Sequence, residues 1–270
     1  MVTPLLAPPS PRRRGRIGWL LAGAASIGLA LAGAHAVRDG RFQVHHVLVR
    51  NVTVQPGDDG ALDFTSHVSP VEVRHLASIP QGSELWQVDL EQVVRGVLGH
   101  PWVAEVEVSR RWPDTIVIRI VEHRPVLLLQ QDGLYYVEAS GEVFKRARGS
   151  DLDYPVLTGL AEGLAARHPD LARRVLRDAL ALLQTVEASG EFTRADLSEI
   201  RFDEHEGFSL VLRSGFELTL GFTDPAERLG RLAQMREHGL DPAVPARVDL
   251  VSERIALVTP LPSPAPQGLD

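Results

Sequence analysis

Pro101-Trp102-Val103-Ala104-Glu105-Val106-Glu107-Val108-Ser109-Arg110-Arg111-Trp112-Pro113-Asp114-Thr115-Ile116-Val117-Ile118-Arg119-Ile120-Val121-Glu122 is the stretch whose reading decides the fold. Val106 and Val108 alternate with Glu105, Glu107 and Ser109, the period of a strand with one apolar and one polar face. Pro113 presets φ at the first central position of a turn, and Asp114 suits the next. Ile116, Ile118 and Ile120 then alternate with Val117, Arg119 and Val121. A β-hairpin is expected, and a slip of one residue at its turn would move every apolar side chain to the wrong face.

Working back from the hairpin, Leu90, Val93, Val94, Val97 and Leu98 fall at helical spacing, with Gly99 and Pro101 as stop signals. Ser69-Pro70-Val71-Glu72 opens an earlier helix, with Ser69 as cap, Pro70 in the first turn and Glu72 closing a capping box. Leu76 and Ile79 are expected on its buried side. Phe42 to Val54 is apolar and β-branched and runs into the turn-rich Pro56-Gly57-Asp58-Asp59-Gly60, which marks a first strand. Strand, two helices and a hairpin make a β-α-α-β-β unit over 41–123, large enough for a small core.

Further toward the N-terminus, Ile17 to Val37 is free of charge and follows Arg12, Arg13, Arg14 and Arg16. Its 21 positions make a helix of roughly 31 Å, a match for the ~30 Å hydrocarbon core of a bilayer. The arginines keep residues 1–16 in the cytoplasm by the positive-inside bias, so the body of the chain lies across the membrane. Ala34-His35-Ala36 also fits a signal-peptidase site, but the apolar run exceeds the usual ~7 to 15 residues of a signal core. An uncleaved single-pass anchor is the reading adopted.

The chain is 44% hydrophobic and 23% charged, in the range of folded globular proteins rather than disordered tails. It has no cysteine, so nothing outside the membrane is held by disulfides. Beyond the four arginines stand 24 basic against 35 acidic residues, a balance of −11 that excludes nucleic acid as a natural partner.

A second unit is expected over 124–258. Asp132-Gly133 and Ser140-Gly141 bracket the strand Leu134-Tyr135-Tyr136-Val137, and Val143-Phe144 returns. Leu171, Val175, Leu182 and Val186 stripe a helix that starts after His168-Pro169 and stops near Gly190. Phe208, Leu210 and Leu212 alternate, Ser214-Gly215 turns, and Phe216, Leu218, Leu220 and Phe222 alternate back. Asp224-Pro225-Ala226-Glu227 reads as a capping box opening a helix through Leu229, Leu232 and Met235, with Gly239 at its end. The last pair is Arg247-Val248-Asp249-Leu250 with Arg254-Ile255-Ala256-Leu257-Val258, followed by a proline-rich tail, 259–270, expected to be disordered. The fold class is α+β: an N-terminal transmembrane helix, a β-α-α-β-β unit, and a β-rich domain with packed helices.

Chemistry finds little support. His45 and His46 are adjacent and point to opposite faces of a strand, so they cannot share a metal. No His-x-x-x-His, His-Glu-x-x-His, Gly-x-Ser-x-Gly or phosphate-cradling loop occurs. Glu105 and Glu107 share a strand face opposite Arg110 and Arg119, which reads as a solvated surface before an acid/base pair. Trp102 and Trp112 read first as packing, and Arg110-Arg111 as a solvated strand end. No catalytic, cofactor or metal residue is assigned.

A family resemblance rests on particular residues. Pro101-Trp102-Val103, the alternating strand, Arg110-Arg111-Trp112-Pro113 and Glu122-His123-Arg124-Pro125 resemble the POTRA domain of the FtsQ/DivIB family of bacterial cell-division proteins. Here His123 stands between Glu122 and the Arg-Pro exit. Tyr135 to Phe144 and Tyr154-Pro155-Val156-Leu157-Thr158-Gly159 resemble the segment that follows that domain. The family's Val-Asp-Leu usually continues with Arg and an aromatic, where Val251 and Ser252 stand in this chain.

What the resemblance implies is a bitopic divisome scaffold, not an enzyme. It would bind the FtsB–FtsL pair in the periplasm, act upstream of FtsW and FtsI during septum formation, and need no cofactor or small-molecule substrate. The expected partner site is Leu250, Val251, Ser252, Arg254, Ile255, Ala256, Leu257 and Val258: the last strand of its sheet in sequence, alternating apolar with small residues and open to strand addition. Two alternatives are another POTRA-bearing export or outer-membrane assembly factor, which would carry many ~10-residue barrel strands, and an anchored periplasmic cell-wall enzyme.

Overall fold

The computed structural model describes residues 25–31, 33, 35, 40, 42–52, 66–148, 153–160, 167–252 and 254–262. Two compact units divide between Glu122 and His123. Among the described residues no helix is long and apolar enough to cross a membrane. The span expected over 17–37 falls largely outside them, with helix at 25–31, 33 and 35, and the tail 1–16 lies wholly outside.

In the first unit β1 (His46–Asn51), β2 (Val103–Arg111) and β3 (Thr115–Glu122) form a sheet in the order β1-β3-β2. β1 runs parallel to β3, with His46 beside Thr115, and β2 returns antiparallel to it. The Trp112–Pro113 peptide bond in the hairpin turn is cis. Helices α1 (Pro70–Ala77) and α2 (Leu90–Leu98) supply the crossover that a parallel pair requires. The capping box at α1 is complete: Ser69 Oγ accepts the Glu72 N–H at 3.2 Å, and the Glu72 carboxylate accepts the Ser69 N–H at 2.9 Å. Asp89 caps α2 by accepting the N–H groups of Glu91 and Gln92. Val73, Ala77, Val93 and Val97 are buried beside Leu85, Ile116, Ile118 and Ile120, each large side chain worth roughly 1.5–3 kcal/mol of burial. Leu76 and Ile79, expected to face inward, are only half-buried, because Val73 and Ala77 occupy the inner stripe of so short a helix.

The second unit is built on one nine-stranded sheet, with order β12-β11-β10-β9-β8-β7-β4-β5-β6. Its strands are β4 (Pro125–Gln130), β5 (Leu134–Glu138), β6 (Val143–Arg146), β7 (Val156–Thr158), β8 (Leu197–Asp203), β9 (Gly207–Leu212), β10 (Glu217–Gly221), β11 (Ala246–Asp249) and β12 (Leu257–Pro260). β7–β8 and β10–β11 are parallel, and each pair is bridged by a helix, α3 (Pro169–Ser189) and α4 (Pro225–Glu237). Val175, Leu183, Val186, Leu229 and Leu232 from these helices share one core with Leu127, Leu157, Ile200, Leu210, Leu218 and Val248 of the strands. The opposite face carries ion pairs, Arg201 with Glu199 and Arg247 with Glu217. Toward β4 and β5 the same face closes over aromatic rings, with His123 stacked on Phe144 at 4.2 Å and Phe144 on Tyr136 at 5.8 Å.

Three expectations are corrected. The last strand is Leu257–Pro260, not Arg254–Val258, so the tail expected to be disordered from 259 begins as paired strand. Residues 263–270 of that tail lie outside the described residues. Asp224 does not cap α4 with its side chain, because its left-handed backbone, φ 51, turns the carboxylate away while its carbonyl takes the Arg228 N–H. Arg110 is not a solvated strand end. It is half-buried and donates to the carbonyls of Leu85, at 2.8 Å, and Val88, at 2.6 Å.

Candidate functional site: a free sheet edge

β12 stands at one end of the nine-stranded order and, among the described residues, is paired on one side only. Its register with β11 places Leu257 opposite Asp249, Val258 opposite Val248, Thr259 opposite Arg247 and Pro260 opposite Ala246. The Leu261 N–H donates to Pro245 O at 3.1 Å, which fixes the phase of the ladder. In an antiparallel pair hydrogen-bonded positions alternate, so Thr259 and Leu257 turn their backbone groups toward β11. Val258 and Pro260 therefore turn theirs outward. Pro260 has no N–H, which leaves Val258 as the one residue of the strand that presents both a donor and an acceptor to a neighbouring chain.

The side chains around this edge are apolar and accessible. Leu257 is 63% exposed, Val258 42%, Ile255 69% and Val251 43%. Arg254 and Ser252 are exposed as well. Leu250 is not part of that surface: it is fully buried in the core, and its N–H donates to Thr219 O. Ala256 also turns inward and packs against the core. Of the eight residues expected from sequence, six are thus exposed and two turn inward, and Leu257 and Val258, adjacent in β12, face opposite sides of the sheet. The 250–252 turn is held by Arg231 of α4, whose Nη1 donates to Ser252 O at 2.7 Å and lies 3.4 Å from Leu250 O. Sequence reading passes over Arg231, since nothing in α4 distinguishes it from the helix's other arginines.

The candidates for chemistry settle into structural roles. Glu107 pairs with Arg119 across the hairpin at 2.9 Å on an exposed face, and Glu105 is exposed beside it. His45 and His46 are both exposed. Trp102 is buried, its ring stacked on His67 at 3.6 Å, whereas Trp112 is exposed. Glu122 is buried at the end of β3, where it accepts hydrogen bonds from Asn51 Nδ2, from Ser66 Oγ at 2.6 Å and from the His67 N–H at 2.9 Å. His123 Nδ1 lies 3.1 Å from Glu138 Oε1 without a hydrogen-bonding geometry, and the same oxygen accepts the Arg124 N–H at 2.7 Å, the bond that ties the start of β4 to the β5–β6 hairpin. Glu142 completes a group whose ligand atoms fall within 4.8 Å of one another.

Two family descriptions match this chain. The FtsQ-type POTRA domain covers residues 63–123, and the C-terminal part of cell division protein FtsQ/DivIB covers 127–250. A curated cell division protein FtsQ from Myxococcus fulvus is 39% identical over 170 residues, covering 62% of this chain and 59% of that protein. That of Geobacter sp. strain M21 is 36% identical over 168 residues, covering 62% and 61%. A third, from Syntrophotalea carbinolica, is 29% identical over 229 residues and covers 83% and 78%. The chain thus spans about three-fifths of the length of the first two relatives.

Proposed function

Because this chain belongs to the FtsQ/DivIB family of cell-division proteins, we propose that it serves as a bitopic inner-membrane scaffold of the divisome, binding its partners in the periplasm through the free edge of β12. The observation that carries this reading is the outward-facing backbone of Val258, set among exposed Ile255, Leu257 and Val251. Strand addition uses such an edge: main-chain hydrogen bonds supply affinity, and alternate side chains supply specificity. The partner the family suggests is the FtsB–FtsL pair, which would dock an extended segment beside β12 and through it reach FtsW and FtsI.

Such a role asks for no catalytic group, only for an anchor and two folded modules. The anchor is the uncharged stretch 17–37, with residues 1–16 in the cytoplasm. A periplasm-active reporter fused after Arg50 is expected to be active, and one fused after Ser10 silent. The scaffold is tested by titrating the detergent-solubilised full chain with an FtsB–FtsL pair. Saturable binding that is lost when the β12 edge is blocked supports the reading, and unchanged binding to the blocked edge refutes it.

A further inference from the structure

Two of the chain's four tryptophans are exposed side by side. Trp86 is 41% exposed and Trp112 58%, and both rings lean on Phe42, with centroids at 5.8 and 5.9 Å. The three come from separate segments: the residues before β1, the loop between α1 and α2, and the β2–β3 turn. Backbone contacts gather them at one pole. Leu85 N donates to Phe42 O at 2.8 Å, Val44 N to Ser83 O at 2.9 Å, and His45 N to Asp114 O at 3.0 Å. The parallel register of β1 on β3 gives the reason, since it sets the start of β1 beside the β2–β3 turn. Arg110 holds the Trp86 loop by its bonds to Leu85 O and Val88 O, so the ring is presented on a fixed platform rather than on a loose loop.

This pole is where the chain arrives from its proposed anchor. Four residues lie between Val37, the last of the stretch 17–37, and Phe42, so five residue steps give a reach of at most about 18 Å. An indole ring joins an apolar body to one N–H donor, and it is favoured at the headgroup level of a bilayer for that reason. Exposed Arg111, His45 and His46 rim the cluster, beside Asp114 and a Glu84 that already accepts from Gln87. A water-facing pair of tryptophans on a short leash to a membrane has one partner always within reach.

We propose that the POTRA unit rests on the bilayer, with Phe42, Trp86 and Trp112 seated in the interfacial layer of the leaflet from which the chain emerges. This rests on the membrane-anchor reading of 17–37. It adds a second point of attachment beside the anchor, which fixes the tilt of the unit on the bilayer.

The test uses the full chain carrying Trp19→Phe, reconstituted in vesicles of phosphatidylethanolamine and phosphatidylglycerol, with and without lipids brominated near the headgroup. Emission is expected to move to the blue relative to the detergent-free denatured chain and to be quenched by the brominated lipid. Adding Trp86→Phe and Trp112→Phe together should abolish the quenching while the emission of buried Trp102 persists. Quenching that survives the double substitution overturns the proposal. So does emission from Trp86 and Trp112 that stays water-like, open to acrylamide and untouched by brominated lipid in vesicles that retain the chain after alkaline carbonate. Carbonate release of the chain would instead refute the anchor itself, and the inference with it.

Discussion

Val258→Pro separates the free edge from the fold that carries it. The phase of the β11–β12 ladder turns the Val258 N–H outward, so a proline there removes no internal hydrogen bond. Leu257 before it is already extended, the conformation a following proline prefers. Edge strands accept proline where the missing donor faces solvent, and the stability change should stay within ~0.5 kcal/mol. Thr259→Pro is the internal control. Its N–H is aimed at Arg247 of β11, and losing it strands a carbonyl at a cost of about 1–3 kcal/mol of stability.

Binding should respond in the opposite order of specificity. Val258→Pro forfeits one ladder bond, ~0.5–1.5 kcal/mol, and leaves a carbonyl of the added strand without a donor, a further ~1–3 kcal/mol. Together these should weaken the proposed FtsB–FtsL binding roughly 10- to 2,000-fold, for a loss of about 1.5–4.5 kcal/mol. The assay is calorimetric titration of the full chain in detergent, with thermal melting of the same samples. Full affinity in a variant that melts like the wild type would refute strand addition at β12. A variant that melts far below it would refute the ladder phase on which the reasoning rests.

Other substitutions address the two folds and their acid response. Glu122→Leu should lose about 3 kcal/mol or more in chemical denaturation, because the donors of Asn51, Ser66 and His67 would lose a buried acceptor. A denaturation midpoint unchanged by the substitution would show that water replaces the carboxylate. Gly159→Ala should cost at least ~2 kcal/mol, since φ is +86 and a Cβ there would meet the Phe202 carbonyl of β8. A melting temperature within a degree of wild type would count against that packing. Hydrogen bonds from Ser69 hold the Glu72 carboxyl below its ordinary 4.5, those from Thr193 hold Asp196 below 3.8, and the His205 and Glu206 N–H groups do the same for Asp203. Folded values below the unfolded ones mean that the native state binds fewer protons, so this stabilisation is complete above the ordinary values and is lost as pH falls through the folded ones. The melting temperature should be level near neutrality and decline from about pH 4.5 downward, less steeply in Asp196→Asn. An identical acid limb in that variant would argue against the Thr193–Asp196 cap.

The elements that could be read in advance are those whose local period survives in three dimensions. The hairpin from Glu105 to Glu122, beyond the register shift at Val103, the capped α1 and the striped α3 each obey one rule along their length. β8 was illegible because its register shifts between Leu197 and Glu199, which puts Leu197, Ile200 and Phe202 on the core face without regular alternation. β4 hides for the opposite reason: Leu127, Leu128 and Leu129 are all buried, Leu127 and Leu129 against the helices and Leu128 on the other face, so no period appears. At the site, the apolar residues of the last strand were visible but its limits were not. Proline reads as a strand stop only if its donor is needed, and whether Pro260 needs one depends on the phase of a ladder with β11 that sequence cannot supply. Leu250 and Val251 look alike in sequence; one lies in the core and the other at the surface because Leu250, just past the end of β11, is still tied to the sheet through Thr219 O, and Val251 is not.

The proline at the end of β12 also bears on what the edge refuses. Two copies of this strand brought together about a two-fold axis could exchange bonds only through Val258, since Pro260 offers a carbonyl and no donor. A foreign strand with a full set of N–H groups can satisfy the Val258 and Pro260 carbonyls together, whereas an identical strand has only its Val258 N–H to offer to one or the other. Open edges invite fibre growth, and this one is asymmetric in its chemistry: it receives a complementary chain more readily than it polymerises with itself.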